Sequence, residues 1–227
     1  ILDAAQRALP AAERSLLYLV APRTGRLEVR ASLGFSDPRI RRMGQVHNSI
    51  ADRAMREKRP LLIDDVTSEL PQAEYDNRPE EAMRSAIFAP LLLGDDVLGV
   101  LSLSSARLAV FNTAALRLLV SFVAGMLIGI EREAHSQPAG MRTHILISLG
   151  STLAMLVSIY IPQTFTAFQN GDPGRIAAQV VTGIGFLGAG AILRFGVNVK
   201  GLTTAASIWA MAMLGLAIGA GLFKISA

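Results

Sequence analysis

Beyond Asn112 charge interrupts the chain so rarely that most of it must be solvated by lipid or by itself. Residues 113–227 hold seven Lys/Arg and three Asp/Glu, and charge-free stretches run over 118–130, 143–171, 176–193 and 201–223. A helix rises about 1.5 Å per residue, so about 20 residues cross a hydrocarbon core about 30 Å thick. The last three stretches meet that length, with room for a loop inside 143–171. Residues 118–130 reach it once Arg117 is included, because a long basic side chain can carry its charge to the interface. Four spans are expected. Asn112 is placed to cap the first, and Pro162 is expected to end the second ahead of the polar turn TAFQNGDPG.

Residues 1–112 are of a different kind, with fifteen Lys/Arg balanced by fifteen Asp/Glu, the density of a soluble domain. The chain therefore reads as two parts, 1–112 and 113–227. Its net charge of +4 lies wholly in the apolar part, as isolated residues beside neutral runs. With one Trp and three Tyr there is no basic stripe with interleaved aromatics, which excludes nucleic acid as a partner. Basic residues flanking spans, with the lipid bilayer as partner, is the reading that fits. The absence of Cys excludes disulfides, a thiolate nucleophile, Cys-bound zinc and a thioether-linked chromophore. Ile1, Asp3 and Arg7 do not read as a secretory leader. Without an initial Met, and ending just after a hydrophobic run, the chain reads as a piece at both ends.

In the first part RSLLYLV, the turn Pro22–Gly25 and LEVRASL form a strand–turn–strand signal, with Leu27, Val29, Ala31 and Leu33 on one face. A helix is expected from Ser49, with Asp52 as a capping partner and Pro60 as its stop. LLIDDV reads as a strand and Leu70–Arg84 as a polar loop or short helix. AIFAPLLL, Gly94-Asp95-Asp96 and VLGVLSLS make a second hairpin, in which Leu101 and Leu103 alternate with Ser102 and Ser104. Hairpins dominate, so the class is α+β with a mostly antiparallel sheet. ILDAAQRAL, LLYLVAPRTGRLEVRASLGF, IADRAMREKRPLLIDDV and RSAIFAPLLLGDDVLGVLSLSS together resemble successive blocks of a GAF domain over about residues 1–118. That resemblance implies a sensor-type module with an unidentified small ligand, or a homodimerising one. His47 reads as a surface or hydrogen-bonded histidine rather than a haem ligand, and Asp64-Asp65 as a cap for the following loop.

The second part is rich in small residues at four-residue spacing, among them Gly125 and Gly129, and Gly215 and Gly219. In lipid such faces let helix backbones approach. Gly183, Gly185, Gly188 and Gly190 are placed in the same packing role, with Thr203 and Thr204 as interhelical hydrogen-bonders. Gly183-Ile-Gly185-Phe-Leu-Gly188 spells a dinucleotide fingerprint, but no acidic residue follows Asp172 to hold a ribose, and the reading is rejected. Glu131, Arg132, Arg142, His144, Asp172 and Arg175 sit at span ends as a candidate charged cluster. If the spans alternate sides, Asp172 stands apart from Glu131 and Glu133. No catalytic residue is expected, and a metal site is left unassigned.

GMLIGIERE, PAGMRTHILISLG, DPGRIAAQVVTGIGFLGAGAILR and GLTTAASIWAMAMLGLAIGAG resemble consecutive blocks of the MgtC/SapB family over about residues 118–223. The resemblance implies a multi-pass helical bundle in a bacterial inner membrane, linked to magnesium limitation, acid stress and virulence. It also implies a membrane protein partner such as the ATP synthase, and the only link to Mg²⁺ comes from it. Family members commonly add a fifth span and a soluble C-terminal domain, so the second part reads as C-terminally truncated. The expected function is a non-enzymatic integral membrane protein of magnesium and stress homeostasis with a GAF ligand input and no assigned cofactor. The alternatives are a Mg²⁺ transporter, a membrane-anchored small-ligand sensor and an artificial GAF/MgtC fusion. Orientation is left open, since Arg132, Arg142, Arg194 and Lys200 on one side balance Arg107, Arg117, Arg175 and Lys224 on the other. FNTAALRLLVSFVAGMLIG reads both as the last helix of the first part and as the first span.

Overall fold

Two arrangements of secondary structure follow one another along the chain, a mixed unit over 1–119 and a helical unit over 120–226. The computed structural model describes residues 1–35, 50–69, 83–165, 172–195 and 198–223. His47, Ser49, most of the segment 70–84 expected as a loop or short helix, and Lys224 lie outside them.

In the first unit helix α1 (Leu2–Ala8) leads into strands β1 (Arg14–Val20) and β2 (Leu27–Leu33), joined by a tight turn in which Gly25 has φ 66°. Helix α2 (Ile50–Glu57), strand β3 (Leu61–Ile63) and the short helix α3 (Val66–Glu69) follow, then the hairpin β4 (Ser85–Leu93) and β5 (Asp96–Ser105). The five strands form one antiparallel sheet in the order β2-β1-β5-β4-β3. Leu17 pairs with Ala31 and Tyr18 with Val29, so Arg30 is a bulge that turns the outer end of β2 and leaves Leu33 exposed. The expected alternation in β5 does not produce a wet face. Ser102 and Ser104 are as buried as Leu101 and Leu103, because both sides of the central strands are covered. Leu16, Leu27, Ala54, Ile63, Val66, Phe88 and Val100 share one core.

Two carboxylates tie loops to this sheet. Asp65 Oδ1 accepts from Thr67 Oγ1 at 2.7 Å and from Thr67 N at 3.0 Å, capping α3 as the sequence suggests. Glu13, just before β1, accepts from Ala106 N at 2.9 Å and from Ser105 Oγ at 3.0 Å, which binds the end of β5. The Ala106 amide chiefly, with Ser105 and Arg107, holds the Glu13 carboxyl below the usual glutamate range. The Thr67 hydroxyl and amide do the same for Asp65.

The helical unit begins inside α4 (Thr113–Ala134), which runs unbroken across the division between the units. Asn112 Oδ1 accepts from Ala115 N at 2.9 Å, the N-cap that the sequence offered. Helices α5 (Met141–Thr164), α6 (Gly174–Gly190) and α7 (Leu202–Ala220) follow, with a small hairpin of β6 (Leu193–Phe195) and β7 (Asn198–Lys200) before α7. Pro162 does not stop α5, which continues to Thr164. Gly221, at φ 86°, closes α7 with Leu222 N bonded to Ala217 O and Gly221 N to Ile218 O, a left-handed cap that a side chain would strain. Three helices, α4, α5 and α7, are long and apolar enough to cross a membrane. Four were expected. Helix α6 has 17 residues, about 26 Å of helix rise, at the short end of the range that crosses a bilayer.

The burial of α5 is inverted relative to a water-soluble helix. His144, Ser148, Ser151, Thr152 and Ser158 are buried, whereas Leu146, Leu153, Val157 and Tyr160 are exposed. An apolar exterior around a polar interior is stable where the exterior meets lipid.

A carboxylate whose native pKa is depressed stabilises the fold above its unfolded pKa and loses that contribution as pH falls through the native value. Thermal scans of the first-unit transition in the full chain should show stability falling below about pH 4.5. Glu13→Gln should lower Tm at neutral pH and flatten its slope in that acid range; an unchanged slope would refute the Glu13 linkage.

Candidate functional site

Helices of the bundle meet where a glycine removes a side chain. A Cβ on Gly125 would stand 2.7 Å from His144 O, and one on Gly129 would stand 2.2 Å from Met141 Cα. On α7, a Cβ at Gly215 would fall 2.6 Å from Ser148 O, and at Gly219 2.7 Å from Met155 Cβ. These approaches place hydroxyls within reach of one another. Ser121 Oγ lies 2.7 Å from Ser148 Oγ and 2.9 Å from Thr152 Oγ1, and Thr152 donates to Gly215 O at 2.8 Å. This polar chain links α4, α5 and α7 through the interior. Sequence reasoning did not single it out, although His144, Ser148, Thr152 and Ser158 recur at near-helical intervals along one span.

At the end of the bundle where α4 stops and α5 and α7 start, Arg132 is buried at 7% exposure. It shares the α4 face of Gly125 and Gly129, being four and three residues apart. Its Nη2 donates to Thr204 Oγ1 at 2.8 Å and to Gln137 Oε1 at 3.4 Å, while its buried Nε has no partner. His144 is fully buried, its Nδ1 donating to Gly140 O at 3.1 Å and its Nε2 without a partner. A buried guanidinium facing two neutral oxygens is costly, because neither supplies a countercharge.

The neighbouring carboxylates are otherwise engaged. Glu133 Oε1 accepts from Met141 N at 3.0 Å and so caps α5 from the preceding helix. Glu131 pairs with His135 at 3.1 Å on the exposed surface, and Arg142 is exposed. Asp172 caps α6 through Gly174 N at 2.7 Å, and Ser158 donates to Pro173 O. That contact lies about 25 Å along α5 from its start, so Asp172 and Arg175 occupy the opposite end from Arg132. The structure therefore brings Arg132 and Thr204 together and separates them from Asp172 and Arg175. Among the described residues no three His, Asp or Glu side chains gather as metal ligands. The glycines of α6 differ among themselves. A Cβ on Gly188 would stand 3.6 Å from Ala205 O, whereas one on Gly183, Gly185 or Gly190 would meet nothing within 4 Å among the described residues. Thr203 is exposed.

An antiparallel α+β unit followed by apolar helices with a polar interior defines a membrane protein carrying an appended mixed domain. The chain belongs to the GAF domain family, matched over residues 1–131, and residues 118–227 match the model of the MgtC family. Both matches include 118–131, a stretch inside α4. Over 112 residues it is 48% identical to YhiD of Escherichia coli (strain K12), covering 48% of this chain and 52% of that protein. Over 109 residues it is 46% identical to Protein MgtC of Salmonella typhimurium (strain 14028s / SGSC 2262), covering 48% of this chain and 44% of that one. The chain thus spans about half the length of the relatives it matches. Among solved structures it is similar to the GAF domain of Acinetobacter phosphoenolpyruvate-protein phosphotransferase. The identity there is 21% and the TM-score 0.47, with 60% of this chain and 80% of that one covered.

Replacing Gly129 by Ala puts a methyl group against the Met141 backbone and should destabilise the bundle by about 1–3 kcal/mol. Gly183→Ala meets open space and should be neutral or stabilising by up to about 1 kcal/mol. Denaturation of the detergent-solubilised chain, followed by helical circular dichroism, checks both. Equal effects at the two positions would refute the assignment of Gly129 to a helix crossing.

Proposed function

We propose that this chain is a non-enzymatic, multi-pass protein of a bacterial inner membrane that acts in magnesium and stress homeostasis through a membrane partner. The GAF unit supplies a small-ligand input. One observation carries the reading. The charge buried in the bundle is a guanidinium, and the three acidic residues of 113–227 are Glu131, Glu133 and Asp172, each engaged at a helix end. Magnesium is held by hard oxygen donors, preferably carboxylates, and a fixed positive charge in a low-dielectric interior repels a dication. The polar interior of hydroxyls and one arginine supports a compact bundle that presents a surface, rather than a cation path. The family resemblance points to the membrane ATP synthase as the partner.

Magnesium transport is the second reading, favoured by the name of the YhiD relative, which proposes it. Proteoliposomes of the full chain loaded with a Mg²⁺ indicator distinguish the two. The expected result is no flux above protein-free vesicles, together with reduced ATP-driven proton pumping when the chain is added to inverted membranes. Protein-dependent Mg²⁺ flux would overturn the proposal in favour of transport. Reporter fusions at Gln137 and Asn198 should mark one side of the membrane and a fusion at Asn170 the other; a single side for all three would exclude a multi-pass arrangement.

A further inference from the structure

The first turn of α7 is built as an anion site. An α-helix leaves the amides of its first residues without intrahelical acceptors, and its N-terminus carries partial positive charge. Elsewhere in the bundle a carboxylate answers this need: Glu133 at the start of α5 and Asp172 at the start of α6. Helix α7 starts at Gly201 with no side-chain cap, and Gly201, at φ 89°, packs so tightly that a Cβ would meet Ala191 O at 2.0 Å. What faces this turn is Arg132, whose Nη2 bonds Thr204, the third residue of the helix, at 2.8 Å. Arg132 is 7% exposed and its Nε is buried without an acceptor. Lys200, exposed, stands immediately before the turn. A guanidinium and a helix N-terminus meet there, and no carboxylate among the described residues pairs with Arg132. Two centres of positive charge held together are stabilised by a shared counter-anion.

We propose that Arg132 and the α7 first turn bind a phosphate group, from the headgroup of an anionic lipid or from free phosphate. Arg132 lies two residues before the C-terminal end of α4, one of the three helices long enough to span, so the site stands at headgroup depth. Guanidinium donors in a fixed fork match phosphate oxygens, and free helix amides complete the ligand set. The site does not depend on the identity of any protein partner.

The test uses the full chain in nanodiscs in phosphate- and sulfate-free buffer, reading Tm. One arm replaces part of the phosphatidylcholine with phosphatidylglycerol, and the other titrates inorganic phosphate into phosphatidylcholine nanodiscs. A rise in Tm in the lipid arm alone assigns the headgroup; a rise with inorganic phosphate assigns the free ion. Either supports the site. Arg132→Gln should abolish the rise, and Arg132→Lys, which keeps the charge but not the fork, should weaken apparent affinity about tenfold. Arg175→Gln removes the same charge at the other end of the bundle and should leave the rise intact. No rise in either arm overturns the proposal. So does a wild-type response in Arg132→Lys or in a folded Arg132→Gln, or an equal loss in Arg175→Gln, which would indicate general surface charge.

Discussion

Lipid removes the hydrophobic effect as a glue between helices, and the bundle is held instead by backbone approach at glycine. The four crossings at Gly125, Gly129, Gly215 and Gly219 set everything else in the helical unit. Because Gly215 admits the α5 backbone, its carbonyl comes within reach of Thr152. Because Gly125 does the same on α4, Ser121 reaches both Ser148 and Thr152. The hydrogen bonds are consequences of the approach. A side chain at any of these glycines would part the helices and leave the hydroxyls unpaired in a medium with no water to replace the lost partner.

The same geometry fixes the arginine. Once Gly125 and Gly129 face α5, helical periodicity turns Arg132 inward as well, and its long side chain reaches Thr204 on α7. A basic residue near the end of a span would ordinarily extend to the interface. Here the close crossing leaves 7% of it exposed, and the carboxylate beside it on α4 is committed to capping α5. The placement of the charge is thus inherited from the packing of small residues two turns away.

Much of this was legible in the sequence, for identifiable reasons. The Asn112 and Asp65 caps follow from local chemistry, since an Asx side chain reaches amides only two or three residues ahead. The spacing of Gly125 and Gly129 announces a face able to pack. Spacing does not say whether a partner arrives, which is why Gly183, Gly185 and Gly190 read the same yet meet open space. The span count came close, three membrane-length helices against four expected, and the difference lies in 176–193, where α6 ends at Gly190 and a hairpin begins. Grouping the charged residues of 131–175 as one cluster conflicted with alternating spans, which already set Asp172 apart from Glu131 and Glu133. One helix length, that of α5, separates Arg132 from Asp172, and it carries the chain to the other end of the bundle. The Arg132–Thr204 bond joins residues 72 positions apart, beyond any local signal.

Charge sign then constrains what the bundle can do. Carboxylates neutralise the helix starts of α5 and α6, and each sits where its own charge is stabilised by free amides. The start of α7 receives positive charge from Arg132 in place of negative. A helix terminus with that electrostatic sign draws anionic groups toward it and raises the energy of any cation that approaches. The interior of this bundle therefore disfavours a dication. The bundle offers Mg²⁺ hydroxyls and a guanidinium, which cannot replace the oxygen shell that a hydrated dication would surrender. It offers a phosphate group the guanidinium of Arg132 and the amides of the α7 first turn, at the cost of holding Arg132 out of water until that group arrives.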